Sequence, residues 1–264
     1  MSIYRNMNMN IKVIYEDADI LVCEKPVGML VQSDRSMDAD MVNEIKNYLY
    51  EKQVEKKEPY VGLIHRLDRP VGGVLVFAKT SFAAKSLSAQ VQGDQPVGKS
   101  KKPVPKMNKK YYAVVDADLS QQLGKEPREL IDYLVKDART NTSKVTRADD
   151  KNGKKALLLY QVLQVAKDER ERPISLVEVE LKTGRHHQIR VQMAANKMPL
   201  WGDTKYNVDF VESQKQYTNL RWANVGLFSH SLEFSHPKTN KRLYFEAVPI
   251  EGVFQAFHFK KNLV

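Results

Sequence analysis

A single cysteine, Cys23, occurs in the 264 residues. An intrachain disulfide is therefore impossible, and a zinc cluster built on cysteines has nothing to build from. Cys23 closes the apolar run Ile20-Leu21-Val22-Cys23, so a buried structural thiol is expected there. Long apolar runs are also missing. None approaches the roughly 20 residues of a membrane span, and no membrane association is expected. Met1 to Asn10 is polar and lacks the apolar stretch of a secretory signal. These absences fit a cytoplasmic setting. Acids are in deficit: 32 Asp and Glu stand against 42 Lys and Arg, a net charge of +10. A surplus of that size favours a polyanionic partner, nucleic acid or an acidic membrane surface.

The most informative segment is His65-Arg66-Leu67-Asp68-Arg69-Pro70-Val71-Gly72-Gly73, followed by the β-type run Val74 to Ala78. It puts one carboxylate, Asp68, between Arg66 and Arg69 at the lip of a strand. Cations on both sides keep a carboxylate ionised at neutral pH, and a positioned carboxylate can act as a nucleophile. A surface Asp paired with its neighbours is the plainer reading of the same residues.

Short strands are expected at Ile11–Tyr15 and Ile20–Glu24, with Lys25-Pro26-Val27-Gly28 breaking the second. Asp40–Lys52 has helical spacing, with Met41, Val42, Ile45, Tyr48 and Leu49 on one face. Ser81–Gln92 is a second helix, with Phe82, Leu87 and Val91 as its apolar positions. Gly93–Lys110 reads as an irregular loop with three prolines, two glycines and six lysines. The lysines are Lys99, Lys101, Lys102, Lys106, Lys109 and Lys110, with no acid between the first and the last. The loop is either a solvated connector or an arm that contacts phosphates. Residues 136–155 form another basic stretch, seven Lys or Arg against three acids. Strands are expected at Tyr111–Asp116, Ala156–Val165, Ile174–Leu181, Phe228–Phe234 and Arg242–Ala247, and a helix at His187–Asn196. Strands joined by hairpin-length turns outnumber helices. That pattern predicts an α/β (α+β) fold with a mixed, mainly antiparallel central sheet and flanking helices.

In Leu181-Lys182-Thr183-Gly184-Arg185-His186-His187-Gln188-Ile189-Arg190, Arg185 follows a Thr-Gly turn and precedes a helix. A guanidinium there can hold a remote carboxylate by a bidentate contact. The His186-His187 pair is no metal motif. Adjacent histidines are expected to point apart, one hydrogen-bonded in the turn and one at the surface, and no acid stands at a ligand spacing. No metal is predicted.

Both segments resemble the RluA-type pseudouridine synthases. The chain carries six blocks in that family's order: Val13–Gly28, His65–Gly73, Lys109–Val115, Leu181–Arg190, Met198–Tyr206 and Ser229–Pro237. There are departures. Gly72 stands where the family commonly has Ser, Gln192 where His is usual, and the loop at Gly93–Asn108 is long. The resemblance implies the pseudouridine synthase fold over residues 11–250, between an N-terminal extension, 1–10, and a tail, 251–264. The S4-like domain of some relatives is not expected.

The implied activity is isomerisation of specific uridines to pseudouridine in structured RNA, ribosomal or transfer. No cofactor is needed, because nothing is oxidised and no group is added. Asp68 would attack C1′ of the ribose or C6 of the uracil, or assist loss of the C2′ proton. Arg185 would pair with Asp68, and Tyr111 would lie against the uracil and serve the late proton transfer from C5. Candidate RNA contacts are His65, Arg66, Arg69, Lys99, Lys101, Lys102, Lys106, Lys109 and Arg190. A monomer is expected. A non-catalytic RNA-binding or ribosome-assembly factor on the same fold is the alternative, and a glycosidic hydrolase using paired carboxylates is a more distant one.

Overall fold

A computed structural model describes residues 11–33, 38–93, 105–214 and 224–259. In chain order the strands and helices are β1 (Lys12–Glu16), β2 (Ile20–Lys25), α1 (Met41–Lys52), β3 (Gly62–Leu63), β4 (Gly72–Ala78), α2 (Ser81–Gln92), β5 (Asn108–Val115) and β6 (Arg128–Asp137). They continue with β7 (Thr142–Thr146), β8 (Lys154–Lys167), β9 (Pro173–Leu181), α3 (Gln188–Ala195), α4 (Val208–Gln214), β10 (Leu227–Ser235) and β11 (Arg242–Glu246). The expected α+β class with mainly antiparallel pairing holds.

The chain divides into two compact units. The first comprises Met1–Arg69, Gly73–Met107 and Glu233–Phe245. In it β2 pairs with β1 and β4, and β3 pairs with β4, all antiparallel. All seven residues of β4 are buried, which is why its sequence is a continuous apolar run and not an alternation. Cys23 lies opposite Leu75 with no exposed surface, and burial pushes its thiol up to about 12. Both helices of this unit start on a side-chain cap. Asp40 accepts from the Asn43 N–H at 3.1 Å and Thr80 from the Ala83 N–H at 3.1 Å. α1 buries Met41, Ile45 and Leu49, as its spacing predicts. α2 buries Ala83, Leu87 and Gln90, and Phe82 is 59% exposed. Of the three apolar positions named from the sequence, Leu87 is buried and Phe82 is not. The inward row runs through positions 83, 87 and 90, and Phe82 lies about 100° behind it. Gln90 acts as a strand edge, donating to the Ser235 carbonyl at 2.7 Å and accepting from its N–H at 2.8 Å.

The second unit comprises Pro70–Gly72, Asn108–Leu232 and Glu246–Val264. Its strands follow the order β10-β5-β9-β8-β6-β7. The basic stretch 136–155 is the end of β6, the whole of β7 and the start of β8, with β6 paired to β7 in a hairpin on one side and to β8 on the other, and its cations are exposed. α3 covers this sheet through Val191, which packs with Leu134 and Ala156. The expected irregular loop ends earlier than predicted: β5 begins at Asn108, so Lys109 and Lys110 are strand residues. Alternation along β5 buries Lys109 and Tyr111. Lys110 instead meets Glu178 at 2.7 Å. After α3 the chain turns at Gly202, where φ is +73° and a Cβ would stand 2.5 Å from the backbone oxygen of Asn224. Only glycine fits there.

Candidate active site

Asp68 lies in the loop between β3 and β4 and is half-buried. Its neighbours fix that loop. Arg69 donates through Nε to the Gly28 carbonyl at 3.0 Å and pairs through Nη1 with Asp38 at 2.8 Å. The Arg69 carbonyl accepts from the Gly28 N–H at 2.9 Å and from Lys25 Nζ at 3.1 Å. Gly28 has φ +86°, which suits glycine at this crossing of two loops. His65 and Leu67 are buried, and Arg66 is exposed.

From the sequence, Lys25 is expected only as the first residue of the segment that breaks the second strand; it instead closes β2. It is fully buried, and its Nζ also donates to the carbonyls of Pro26 at 2.9 Å and Met29 at 2.7 Å. Burial pushes its ammonium down to about 7; the Asp68 charge pulls it up and Arg69 pushes it further down. The signal in the sequence was a lysine closing a buried apolar strand directly before Pro-x-Gly. Such a residue has no water to face and must find acceptors.

A lysine protonated more readily when unfolded than when folded gives stability that rises with pH. The Lys25 contribution is complete above about 10.5, the ordinary lysine value, and is lost as pH falls through about 7. Wild type is therefore expected to gain stability between pH 7 and pH 9 relative to Lys25→Met, by about 1–3 kcal/mol. Urea unfolding at both pH values measures this. Equal pH slopes for the two proteins would contradict it.

In the second unit Tyr111 lies on β5, opposite Val179 of β9, and is 6% exposed. Tyr112 points to the other face, where it stacks on His230 at 3.9 Å. There Glu178 bonds His230 at 3.1 Å and Lys110 at 2.7 Å, and these two, His230 first, hold its carboxyl down at about 2. Lys109 is buried, and a Cβ on Gly184 would stand 3.6 Å from its Nζ.

Arg185 is exposed, in the turn between β9 and α3. Its Nε donates to the Lys155 carbonyl at 2.9 Å, and its N–H donates to Gln188 Oε1 at 2.9 Å. Arg190 departs from expectation. It is 5% exposed, and it binds Asp203 bidentately, Nε to Oδ2 and Nη2 to Oδ1, each at 2.7 Å. A guanidinium enclosed this way braces α3 against the Gly202 turn, so its listing among RNA-contacting cations is corrected.

The expectation for His186 and His187 also changes. Their rings stack at 3.8 Å, so they do not point apart. His187 takes a left-handed conformation, φ 52°, which folds the two rings onto one side. His187 Nδ1 meets Tyr206 Oη at 2.7 Å, and His186 Nδ1 meets Ser143 Oγ at 2.9 Å. The pair ties the start of α3 to the β7 hairpin. Among the described residues a different group, Asp17, Asp19 and His236, brings three possible metal ligands within 4.8 Å. His236 Nδ1 accepts from the N–H groups of Lys238 and Thr239, leaving Nε2 to donate to Asp17 at 2.9 Å. That arrangement is a hydrogen-bonded anchor for the β10–β11 turn.

Asp68 belongs to the first unit, and Tyr111 and Arg185 to the second. Lys106 is half-buried; Lys99, Lys101 and Lys102 lie outside the described residues.

The family model described as RNA pseudouridylate synthase matches residues 19–195. An uncharacterized RNA pseudouridine synthase of Aquifex aeolicus is 30% identical over 240 residues, covering 90% of this chain and 69% of the relative. The ribosomal large subunit pseudouridine synthase D of Pseudomonas aeruginosa is 31% identical over 246 residues, covering 91% of this chain and 68% of the relative. Among solved structures, human RNA pseudouridylate synthase domain containing 1 has the same fold, with a TM-score of 0.64 at 20% identity over 93% of this chain and 86% of that one.

Proposed function

The chain belongs to the RNA pseudouridylate synthase family and is an RNA pseudouridine synthase, and from that premise we propose that Asp68, Tyr111 and Arg185 carry its chemistry on uridines of ribosomal or transfer RNA. The observation that carries this reading is the Asp68 loop, whose next residue is held through three separate contacts to Lys25 and Gly28. A nucleophile must be held within a fraction of an ångström of its target, and a loop pinned at the residue directly after it supports that need. All three residues fall inside the segment that matches the family, 19–195.

The reaction breaks the bond from C1′ of the ribose to N1 of the uracil and makes one from C1′ to C5. The C5 proton is lost and N1 gains one, so the product is an isomer of the substrate. Asp68 serves as nucleophile at C1′ or C6, or assists loss of the C2′ proton. Arg185 keeps that carboxylate charged and oriented, and Tyr111 lies against the base and handles the C5 proton. The target base leaves its stack to reach these groups, at a cost of a few kcal/mol that is least in loops and bulges. Arg66, which is exposed, fills the space the base vacates or holds the flipped nucleotide's phosphate. Residues 11–250 form the catalytic region of a cytoplasmic monomer with no membrane attachment.

Pseudouridine mapping of ribosomal and transfer RNA from cells with and without this gene tests the substrate class. At least one site is expected to vanish in the deletion and return with the wild-type gene. An unchanged map, together with no product on transcripts of the same RNAs in vitro, would contradict the reading.

A further inference from the structure

The backbone of Arg185 hangs from a buried amide. Gln188, 3% exposed, accepts through Oε1 from the Arg185 N–H at 2.9 Å and from the Thr183 hydroxyl at 2.8 Å. Its Nε2 donates to the Leu157 carbonyl at 3.1 Å and to Gln192 Oε1 at 2.9 Å. Gln192 has no exposed surface. Its own Nε2 faces Asp132 Oδ2 at 2.8 Å, the Leu130 carbonyl at 3.3 Å and the Ala156 carbonyl at 3.4 Å. A backbone N–H can only donate and a carbonyl can only accept. Both amides therefore have a single satisfied orientation, fixed by the Arg185 N–H at one end and by β6 and β8 at the other.

We propose that Gln188 and Gln192 form a relay from Asp132 to Arg185, and that both are positioning residues for the reaction. The proposal rests on the reading of Arg185 as part of the active site. Gln192 matters because it completes the alignment of Gln188. Without an acceptor from residue 192, one N–H of the Gln188 amide is left unmet in a water-free space. The amide keeps its bonds to the Arg185 N–H, the Thr183 hydroxyl and the Leu157 carbonyl but loses one of its four partners, so its present angle is less favoured and the turn that aims Arg185 loosens. Gln188 and Gln192 are both buried, and the end of the chain of bonds nearest the proposed site is the Arg185 N–H.

The test uses the full chain and transcripts of large-subunit ribosomal and transfer RNA carrying tritium at uridine C5, with tritium release as the rate. Gln192→Met keeps length and volume and removes the amide. It is expected to lower kcat about tenfold with KM within about threefold, since a small misplacement of a positioned group costs turnover more than binding. Gln192→His, with one donor and one acceptor nitrogen, is expected to restore most of the rate. In an Arg185→Ala background, Gln192→Met is expected to cause no further loss, because the two act as one unit. Wild-type kcat in folded Gln192→Met beside a dead Arg185→Ala would overturn the relay. So would an equal loss in both backgrounds, which would mean general damage to the fold. Full activity in Arg185→Ala would instead overturn the reading beneath it. If Gln192→Met does not fold, Asp132→Ala, at a half-buried position, is assayed by the same two criteria.

Discussion

Asp68→Asn is expected to abolish pseudouridine formation, lowering kcat by at least about 10³-fold, with RNA affinity and fold unchanged. The substitution replaces one oxygen by a nitrogen of nearly the same size in a half-buried loop. It leaves the Arg69 contacts to Gly28 and Lys25 in place, since these run through the backbone and guanidinium of residue 69. What it removes is the charge and the nucleophilic lone pair. The effect reaches Lys25. The Asp68 carboxylate favours the charged ammonium, so in the variant the lysine should titrate lower than in wild type. Lost turnover with kept affinity separates an enzyme from a non-catalytic RNA-binding protein. Retained turnover would refute the assignment of Asp68.

Asp203→Ala is expected to be the most damaging single change for stability in the second unit. The Asp203 and Arg190 side chains are 0% and 6% exposed. Asp203 Oδ1 also accepts from the N–H groups of Lys205 at 2.9 Å and Tyr206 at 3.2 Å, so one carboxylate holds a guanidinium and a turn together. Removing it leaves Arg190 charged, buried and short of its partner. Breaking a buried pair this way costs about 3–5 kcal/mol. For a unit of this size the melting temperature should fall by about 10 °C. Replacing both partners by apolar residues, Arg190→Met with Asp203→Leu, should recover much of the loss, because no stranded charge remains. Thermal melts followed by circular dichroism check both. A drop below about 1 kcal/mol for Asp203→Ala would mean that the pair is solvated, as surface pairs are.

Much of this was legible in the sequence because it is written locally. The helix starts at Met41 and Ser81 fall within one residue of the expected ones, and the spacing of Met41, Ile45 and Leu49 fixes a face. The buried run of β4 shows itself as unbroken apolar sequence. Strands β6 and β7 were hidden. Their burial is shallow and their residues are mostly polar, so Lys136, Lys144 and their neighbours read as a charge run. The fate of cations was the other blind spot. Arg190 finds Asp203 across a turn of 13 residues, and Lys25 finds a carbonyl 44 residues away. For Arg190, nothing in the local sequence tells such a buried cation from an RNA-contacting one. The His186-His187 stack depends on one positive φ at His187, which spacing does not encode. The Asp68 motif could be read because its residue types carry chemistry in a fixed order. The Arg69 acceptor of Lys25 became visible only in the fold, because it lies 44 residues away.

The most direct measurement is a nucleoside mass balance. Transcribed substrate RNA is incubated with wild-type protein and with Asp68→Asn, digested fully, and its uridine, pseudouridine and free uracil are quantified by mass spectrometry. The account predicts that wild type converts uridine to pseudouridine one for one and releases no uracil, and that Asp68→Asn forms no pseudouridine and releases no uracil. Free uracil without pseudouridine would make the protein a glycosidic hydrolase, and pseudouridine formed at the wild-type rate by Asp68→Asn would remove the nucleophile from the account.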